Sequence, residues 1–233
     1  MGQVVLDSFS DRVLIHGVQT GSDFVLRHEE QMAHGADALI VAEPLQPLFP
    51  RLGFERGRVY GITGDASMSL LFALVARPTA HGSWCAMVDM PRVGLLSAAE
   101  HGVALQRIVC VSSGASRVWP QVVGALVDGI DLVTVVSPVC TPSEARRLTA
   151  RVRAQGSVLL VVGRHDVFET DAVLASRSLR WSFDTHASSR TVHIASHGRR
   201  VHGSHQVTVH LPSQQGGVVA ASSNVSMSSD AHV

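Results

Sequence analysis

The sequence has few aromatic residues, no net charge and no long hydrophobic run. Phenylalanine, tryptophan and tyrosine make up 5% of its 233 residues, so a core must be built mainly from aliphatic side chains. Lysine plus arginine and aspartate plus glutamate balance at 19 each, and this neutrality argues against a generally basic nucleic-acid-binding protein. A neutral protein has little colloidal protection, which favours one that works inside a complex.

Cysteine and targeting signals are also scarce. The three cysteines, Cys85, Cys110 and Cys140, are odd in number and share no C-x-x-C spacing, so a disulfide framework or a zinc site is not expected. No apolar stretch approaches a membrane span, and the first residues lack the features of a signal peptide. We therefore expect a cytoplasmic protein with no membrane association.

From residue 58 onwards, strand and helix patterns alternate. Short apolar runs predict strands over residues 58–63, 84–88, 107–111, 131–136 and 158–162, and the segments between them predict helices over 67–76, 92–101, 120–127 and 142–154. Thr141 followed by Glu144 is the signature of a capping box. Strands that are apolar on both faces, separated by amphipathic helices, predict a mostly parallel sheet flanked by helices.

After residue 163 the pattern changes to strands without helices between them, over residues 180–184, 191–196 and 206–211. The last two alternate polar and apolar residues, which predicts a C-terminal antiparallel hairpin that extends the sheet. The predicted fold class is α/β. We divide the chain into an N-terminal arm and helix over 1–41, an α/β core over 42–212 and a disordered, serine- and glycine-rich tail over 213–233.

The turn after the first core strand stands where a phosphate-binding loop would lie. A working loop requires G-x-x-x-x-G-K-[ST], whose backbone N–H groups and lysine bind phosphates. Gly64 opens the turn, but Met68 and Ser69 stand where Gly-Lys-Ser/Thr would lie, and Asp65 adds negative charge. We interpret the segment as a strand-to-helix turn without a phosphate cradle.

Several segments of the core resemble RecA. They are L-G-F-E-R-G-R-V-Y-G-I-T-G, W-C-A-M-V-D, G-V-A-L-Q-R-I-V-C-V and G-I-D-L-V-T-V-V-S. More closely, G-S-W-C-A-M-V followed by A-A-E-H-G-V-A-L-Q-R-I resembles the actinobacterial ImuA-prime mutasome proteins, which are shortened RecA relatives encoded beside ImuB. The resemblance covers about residues 45–212 and implies a RecA-like core.

Carried over residue by residue, the resemblance implies a degenerate ATPase site. The catalytic acid of RecA falls at about Pro91, which cannot act as a base, although Asp89 beside it is kept. The metal-associated aspartate falls near Val136. Phosphoryl transfer needs a positioned phosphate, Mg²⁺ and a positioned water together, so we expect no enzymatic activity and no cofactor.

The resemblance implies that the protein is a non-catalytic adaptor in DNA-damage-induced mutagenesis. It would act in translesion synthesis during the SOS response. Its partners would be ImuB, which is an inactive polymerase relative, an error-prone DnaE-type polymerase reached through the complex, and RecA itself. The complex would associate with the nucleoid. Two alternatives stay open, namely a divergent nucleotide-dependent recombinase paralogue and a SulA-like inhibitor of cell division.

Candidate interface residues lie in several separate segments. Phe9 and Leu14 belong to the apolar N-terminal arm, and Trp119 stands at the start of a helix, where it is either a core residue or an anchor for a partner. Arg146 and Arg147 lie on one helix, which is either a solvated face or a docking patch for an acidic partner.

Six of the 13 histidines fall late in the chain: His186, His193, His197, His202, His205 and His210. Their spacing fits no zinc pattern, and surface histidines on a hairpin are the simpler interpretation. With Arg190, Arg199 and Arg200 they could form a basic strip for a phosphate backbone or an acidic partner. Any direct binding of DNA is expected to be weak.

Overall fold

A computed structural model describes residues 37–91, 93–136, 138, 140–183, 187–199 and 205–221. The described residues belong to a compact unit that begins at Asp37. Residues 1–36, including Phe9 and Leu14 of the predicted arm, lie outside them, as do Arg200 and residues 222–233 of the predicted tail.

A small antiparallel sheet precedes the main one. Strand β1 (Ala38–Ile40) pairs with β2 (Gly53–Glu55), and a 3-10 helix over Glu43–Leu48 connects them. This proline-containing connector buries Leu45 and Leu48. It thereby adds aliphatic side chains to a core that has few aromatic ones.

The main sheet has nine strands. Six of them run parallel: β3 (Arg58–Gly64), β4 (Cys85–Val88), β5 (Ile108–Val111), β6 (Leu132–Val136), β7 (Val158–Val162) and β8 (Ala172–Phe183). The antiparallel strands are β9 (Ala187–His197), β10 (His205–His210) and β11 (Val219–Ala220). The order across the sheet is β11-β10-β9-β8-β3-β7-β6-β4-β5.

The described residues form four α-helices: α1 (Ser67–Ala80), α2 (Leu95–Glu100), α3 (Trp119–Val127) and α4 (Pro142–Gln155). Alternate strand residues such as Leu160 and Val162 share one core with α1, while α3 and α4 pack on each other and on β6 and β3. Every residue of β7 is buried, as expected for a strand covered on both faces. The predicted α/β class, with a mostly parallel sheet flanked by helices, is confirmed.

A local signal, the capping box, marks the start of α4. The capping box is confirmed, since Thr141 Oγ1 accepts from the backbone N–H of Glu144 at 3.3 Å and the Glu144 carboxylate accepts from the N–H of Thr141 at 2.8 Å. The backbone N–H and the hydroxyl of Thr141 both donate to the Glu144 carboxylate, and these hydrogen bonds to its ionised form lower the pKa of Glu144. A helix was predicted over residues 92–101, but α2 is shorter and spans only Leu95–Glu100. Among the described helices, none has the length and apolar character needed to cross a membrane.

The C-terminal extension is longer than predicted. The predicted antiparallel hairpin is confirmed by the pairing of β9 with β10, but β8 begins at Ala172 instead of residue 180. The prediction of disorder from residue 213 is wrong for residues 213–221. There, the N–H of Ser213 donates to the carbonyl of Gly217 at 3.0 Å, and β11 pairs with β10. Two neighbouring glycines, Gly216 and Gly217, adopt the positive φ angles that this turn requires.

Candidate functional site

The predicted nucleotide-site residues lie at the edge of the sheet where the parallel strands end. Open α/β sheets bind ligands at this carboxyl edge. Gly64 ends β3 and Asp65 follows it, while Asp89 and Pro91 follow β4 and Val136 ends β6. Because β7 and β6 lie between β3 and β4, the predicted residues form two separate groups.

Gly64, in the first group, lies against the backbone of β8. Its φ angle is 102°, and a Cβ atom at this position would lie 1.8 Å from the carbonyl oxygen of Ser176. The hydroxyl of Ser176 also donates to the carbonyl of Thr63 at 2.8 Å. Glycine is therefore required here for close backbone approach, and β8 fills the space beside the turn.

Asp65 continues the contact between this turn and β8. The pairing of β3 with β8 ends at Gly64 and Ser176. Two residues further on, the backbone N–H of Ser178 donates to the two carboxylate oxygens of Asp65 at 2.9 and 3.2 Å. The carboxylate thus satisfies a backbone donor that β3 no longer reaches.

The first turn of α1 makes its polar contacts with the protein itself. Met68 is half-buried and packs on the core. The hydroxyl of Ser69 accepts a hydrogen bond of 2.7 Å from Nη2 of Arg190 on β9. Arg190 is buried, its Nε donates to the carbonyl of Leu211 at 3.3 Å, and its guanidinium lies 4.7 Å from the centre of the Trp181 ring.

Burial lowers the pKa of Arg190, and the negative charge of Asp65 opposes this shift. Arginine stays protonated even so, because its ordinary pKa is above 12. The cation beside the turn is therefore a structural arginine that already has hydrogen-bond partners. No lysine occurs anywhere in the chain, since all 19 Lys+Arg residues are arginines.

The second group centres on Asp89, whose backbone is in the left-handed region with a φ angle of 52°. Its carboxylate accepts from the N–H of Ser113 at 2.8 Å and from the Ser113 hydroxyl at 2.6 Å. Asp89 and Val136 line one cleft together with Trp119 and the loop over residues 112–116. Pro91 is exposed nearby in the chain. The Asp89 carboxylate is engaged by the Ser113 loop, and two strands, β7 and β6, separate β4 from the strand that precedes Asp65.

The polar side chains of both groups can be compared with those of a phosphoryl-transfer site. Such a site combines a phosphate cradle, metal ligands and a residue that positions water. Within the described ranges, no cluster of three or more histidine, cysteine, aspartate or glutamate side chains could hold a metal ion. The carboxylates of Asp65 and Asp89 and the hydroxyl of Ser69 each accept a hydrogen bond from another group of the protein.

The predicted interface residues differ in exposure and in the contacts that they make. Trp119 is 4% exposed, so its interpretation as an anchor for a partner is wrong and it is a core residue. Arg146 and Arg147 are exposed on α4. Arg199 is exposed and forms an ion pair of 3.3 Å with Glu169, whereas Arg190, predicted to join a basic strip, is buried against α1.

An exposed apolar cluster on β8 was not predicted. It consists of Leu179, Trp181 and Phe183, which are 51%, 45% and 72% exposed. The rings of Trp181 and Phe183 are neighbours, with centroids 6.4 Å apart. The available signal was the alternation W-S-F at residues 181–183, which places both aromatic rings on one face of a strand. We call these three residues the aromatic cluster.

Comparison with known proteins places the core in a described family. The model of the family described as the MT3502 N-terminal domain matches residues 47–167, from the connector through β7. Rv3395c of Mycobacterium tuberculosis, described as an uncharacterized protein, is 40% identical over 100 residues. These residues are 42% of this chain and 48% of Rv3395c, so the match spans about half of that relative. The aromatic cluster lies beyond the segment that the family model matches.

Proposed function

The chain belongs to the MT3502 N-terminal domain family, and from this premise we propose that it is a non-catalytic RecA-type adaptor of the ImuA-prime kind. In this proposal it acts in DNA-damage-induced mutagenesis by binding an ImuB-type inactive polymerase. Through that complex it reaches an error-prone DnaE-type polymerase. It contributes protein surface and neither binds nor hydrolyses a nucleotide.

The observation that carries the proposal is the closure of the turn between β3 and α1. A phosphate-binding loop needs free backbone N–H groups and a cation directed at the phosphates. Here the β8 backbone lies against Gly64, Asp65 binds the N–H of Ser178, and Arg190 binds Ser69. These contacts favour a structural role over nucleotide binding for the turn. In the proposed adaptor, the place of the RecA phosphate loop helps to hold the fold together.

The aromatic cluster is the surface we assign to the ImuB-type partner. Tryptophan, tyrosine and arginine are enriched among residues that dominate protein–protein binding energies. One ring face of Trp181 is supported by Arg190 while much of the side chain stays exposed, so the ring is held in place before a partner arrives. A preorganised aromatic side chain loses little conformational entropy on binding.

Co-purification of the full chain with the ImuB-type protein tests the proposal. The wild-type chain should retain this partner without nucleotide, and Trp181→Ala with Phe183→Ala should lose it. The matched control replaces two exposed leucines elsewhere, Leu96→Ala with Leu105→Ala, and should keep the partner. Retention of FtsZ in place of the ImuB-type protein would instead support a SulA-like inhibitor. Retention that requires ATP would support the recombinase paralogue.

A further inference from the structure

Within the part of the chain that the structure describes, one face of the antiparallel extension is polar and basic. Two cross-strand rows define it. Arg177 of β8, His193 of β9 and Thr208 of β10 lie opposite one another, and the next row consists of Arg180, Thr191 and His210. Residues directly opposite each other in antiparallel strands lie on the same face of the sheet. A register shift in β8 between Ser178 and Arg180 brings both rows onto one face, although Arg177 and Arg180 are three residues apart. We call these six residues the basic face.

The other face of the same strands is packed. Val192, Ile194 and Val209 alternate with the residues of the basic face and are buried in the core with α1. Arg190 and Trp181 belong to this packed side, since Arg190 contacts Ser69 of α1. The basic face and the aromatic cluster therefore present two separate surfaces.

Helices cover the sheet mainly beside the parallel strands. The main packing partners of α3 and α4 are each other, β6 and β3. On the basic face Arg177 and Arg180 are exposed, and the two histidines are half-buried. The histidines are held in place by threonines, with 3.5 Å from Nδ1 of His193 to Oγ1 of Thr208 and 3.3 Å from Oγ1 of Thr191 to Nδ1 of His210.

The charge of this extension has one sign. The described residues 172–183, 187–199 and 205–221 contain arginines and histidines and neither aspartate nor glutamate. Two carboxylates reach these strands from outside the extension. Asp65 is engaged by the N–H of Ser178, and Glu169 forms an ion pair with Arg199. In a chain with 19 residues of each sign, the described part of these strands therefore carries basic residues only. Such a distribution of charge indicates a polyanionic partner.

We propose that the basic face binds the phosphodiester backbone of a nucleic acid. Arg177 and Arg180 would contact phosphates, because a guanidinium presents several donors that match phosphate geometry. The imidazoles and hydroxyls would add further donors. The face carries no Trp, Tyr or Phe among its six residues, so we expect binding without base readout and with strong dependence on salt. This inference does not depend on the proposed adaptor function.

Fluorescence anisotropy with a labelled thymidine 20-mer, and separately with a 20-base-pair duplex, measures this binding. The full chain should bind at least one of them in 50 mM NaCl. Arg177→Ala with Arg180→Ala should weaken that affinity at least tenfold. For the single strand, the slope of log affinity against log salt should become shallower by about 1.4, which is about 0.7 for each lost phosphate contact. Arg146→Ala with Arg147→Ala removes the same charge from α4 and should change affinity less than twofold.

Several results would overturn the proposal. These are absence of binding to both nucleic acids at micromolar protein, an equal loss in the two double variants, or competition by poly-glutamate as effective as that by the thymidine oligomer. The last result would assign the face to an acidic polypeptide. Retention of the ImuB-type protein by Arg177→Ala with Arg180→Ala separates this test from that of the adaptor function.

Discussion

The two carboxylate oxygens of Asp65 accept hydrogen bonds from the backbone N–H of Ser178, 113 residues later in the chain, at 2.9 and 3.2 Å. An aspartate that would repel phosphates thus fastens the turn after β3 to the extension of the sheet. The same turn is held at Gly64 by the close approach of Ser176. The end of β3, at the edge that binds ligands in other α/β proteins, is thus joined to β8, the strand from which the antiparallel pairing with β9 begins.

Replacement of Asp65 by alanine should destabilise the protein. The N–H of Ser178 loses its charge-assisted acceptor, and we expect the free energy of unfolding in urea to fall by about 1 kcal/mol. Asp37→Ala, which breaks an exposed ion pair with Arg51, is the control and should cost about 0.5 kcal/mol or less. Equal stability of the two variants would show that the Asp65 contact does not hold the turn.

Replacement of Gly64 by alanine should be far more damaging. The positive φ angle and the Ser176 carbonyl 1.8 Å from the added Cβ force the two strands apart. We expect a loss of about 3 kcal/mol or more in urea unfolding. Gly129→Ala is the matched control, because a Cβ there meets nothing within 4 Å, and it should change stability by about 0.5 kcal/mol or less. A mild effect at Gly64 would contradict the close packing of β8 on this turn.

Replacement of Trp119 in α3 should mainly affect stability, whereas replacement of Trp181 in β8 should mainly affect partner binding. Trp119→Ala removes a buried side chain and should lower the free energy of unfolding by about 3–5 kcal/mol. Trp181→Ala removes a half-exposed ring and should cost about 1 kcal/mol while it weakens retention of the ImuB-type protein. Thermal unfolding and co-purification measure the two effects. If Trp119→Ala kept full stability but lost the ImuB-type protein, Trp119 would be the partner-binding residue and not a core residue.

His101 should make stability depend on pH. Its Nδ1 donates to the carbonyl of Ser97 at 2.7 Å, while Nε2 is buried with no hydrogen-bond partner among the described residues. Burial lowers the pKa of His101 in the folded state. The unfolded chain therefore takes up the proton first, and the free energy of unfolding should fall as pH drops through about 6.5 and level off below the folded pKa.

Urea unfolding between pH 8 and pH 5 measures this dependence. His101→Gln should remove part of the fall in stability. His81→Gln is the matched control, since exposed His81 makes the same Nδ1 contact with the carbonyl four residues earlier, at 2.8 Å from Arg77. A fall in stability that persists unchanged in His101→Gln would assign it to other groups.

The parallel half of the fold could be predicted because its signals are local. The run V-L-L-V-V at Val158–Val162 and the capping box at Thr141 each specify an element without reference to distant residues. The start of β8 could not be predicted in this way. Its sequence A-V-L-A-S-R-S-L mixes small and polar residues, and it is a strand because it pairs with β3, more than 100 residues earlier.

The candidate site was only half predictable for the same reason. The absence of a lysine at the turn is visible in the sequence. The contact between Arg190 and Ser69 joins residues 121 positions apart, and the burial of Trp119 depends on the packing of α3. A sequence pattern reports which residue types are present, whereas tertiary contacts decide which of them stay accessible.

Calorimetric titration of the full chain with ATP and Mg²⁺ measures whether the protein binds a nucleotide, which the proposed function excludes. We expect no binding heat up to millimolar ATP, because the β8 backbone lies against Gly64, the Asp65 carboxylate adds negative charge at the turn and Arg190 is hydrogen-bonded to Ser69. Gly64→Ala and Asp65→Ala should not create binding either. A micromolar dissociation constant for the wild-type chain would contradict the account and favour a nucleotide-dependent recombinase paralogue.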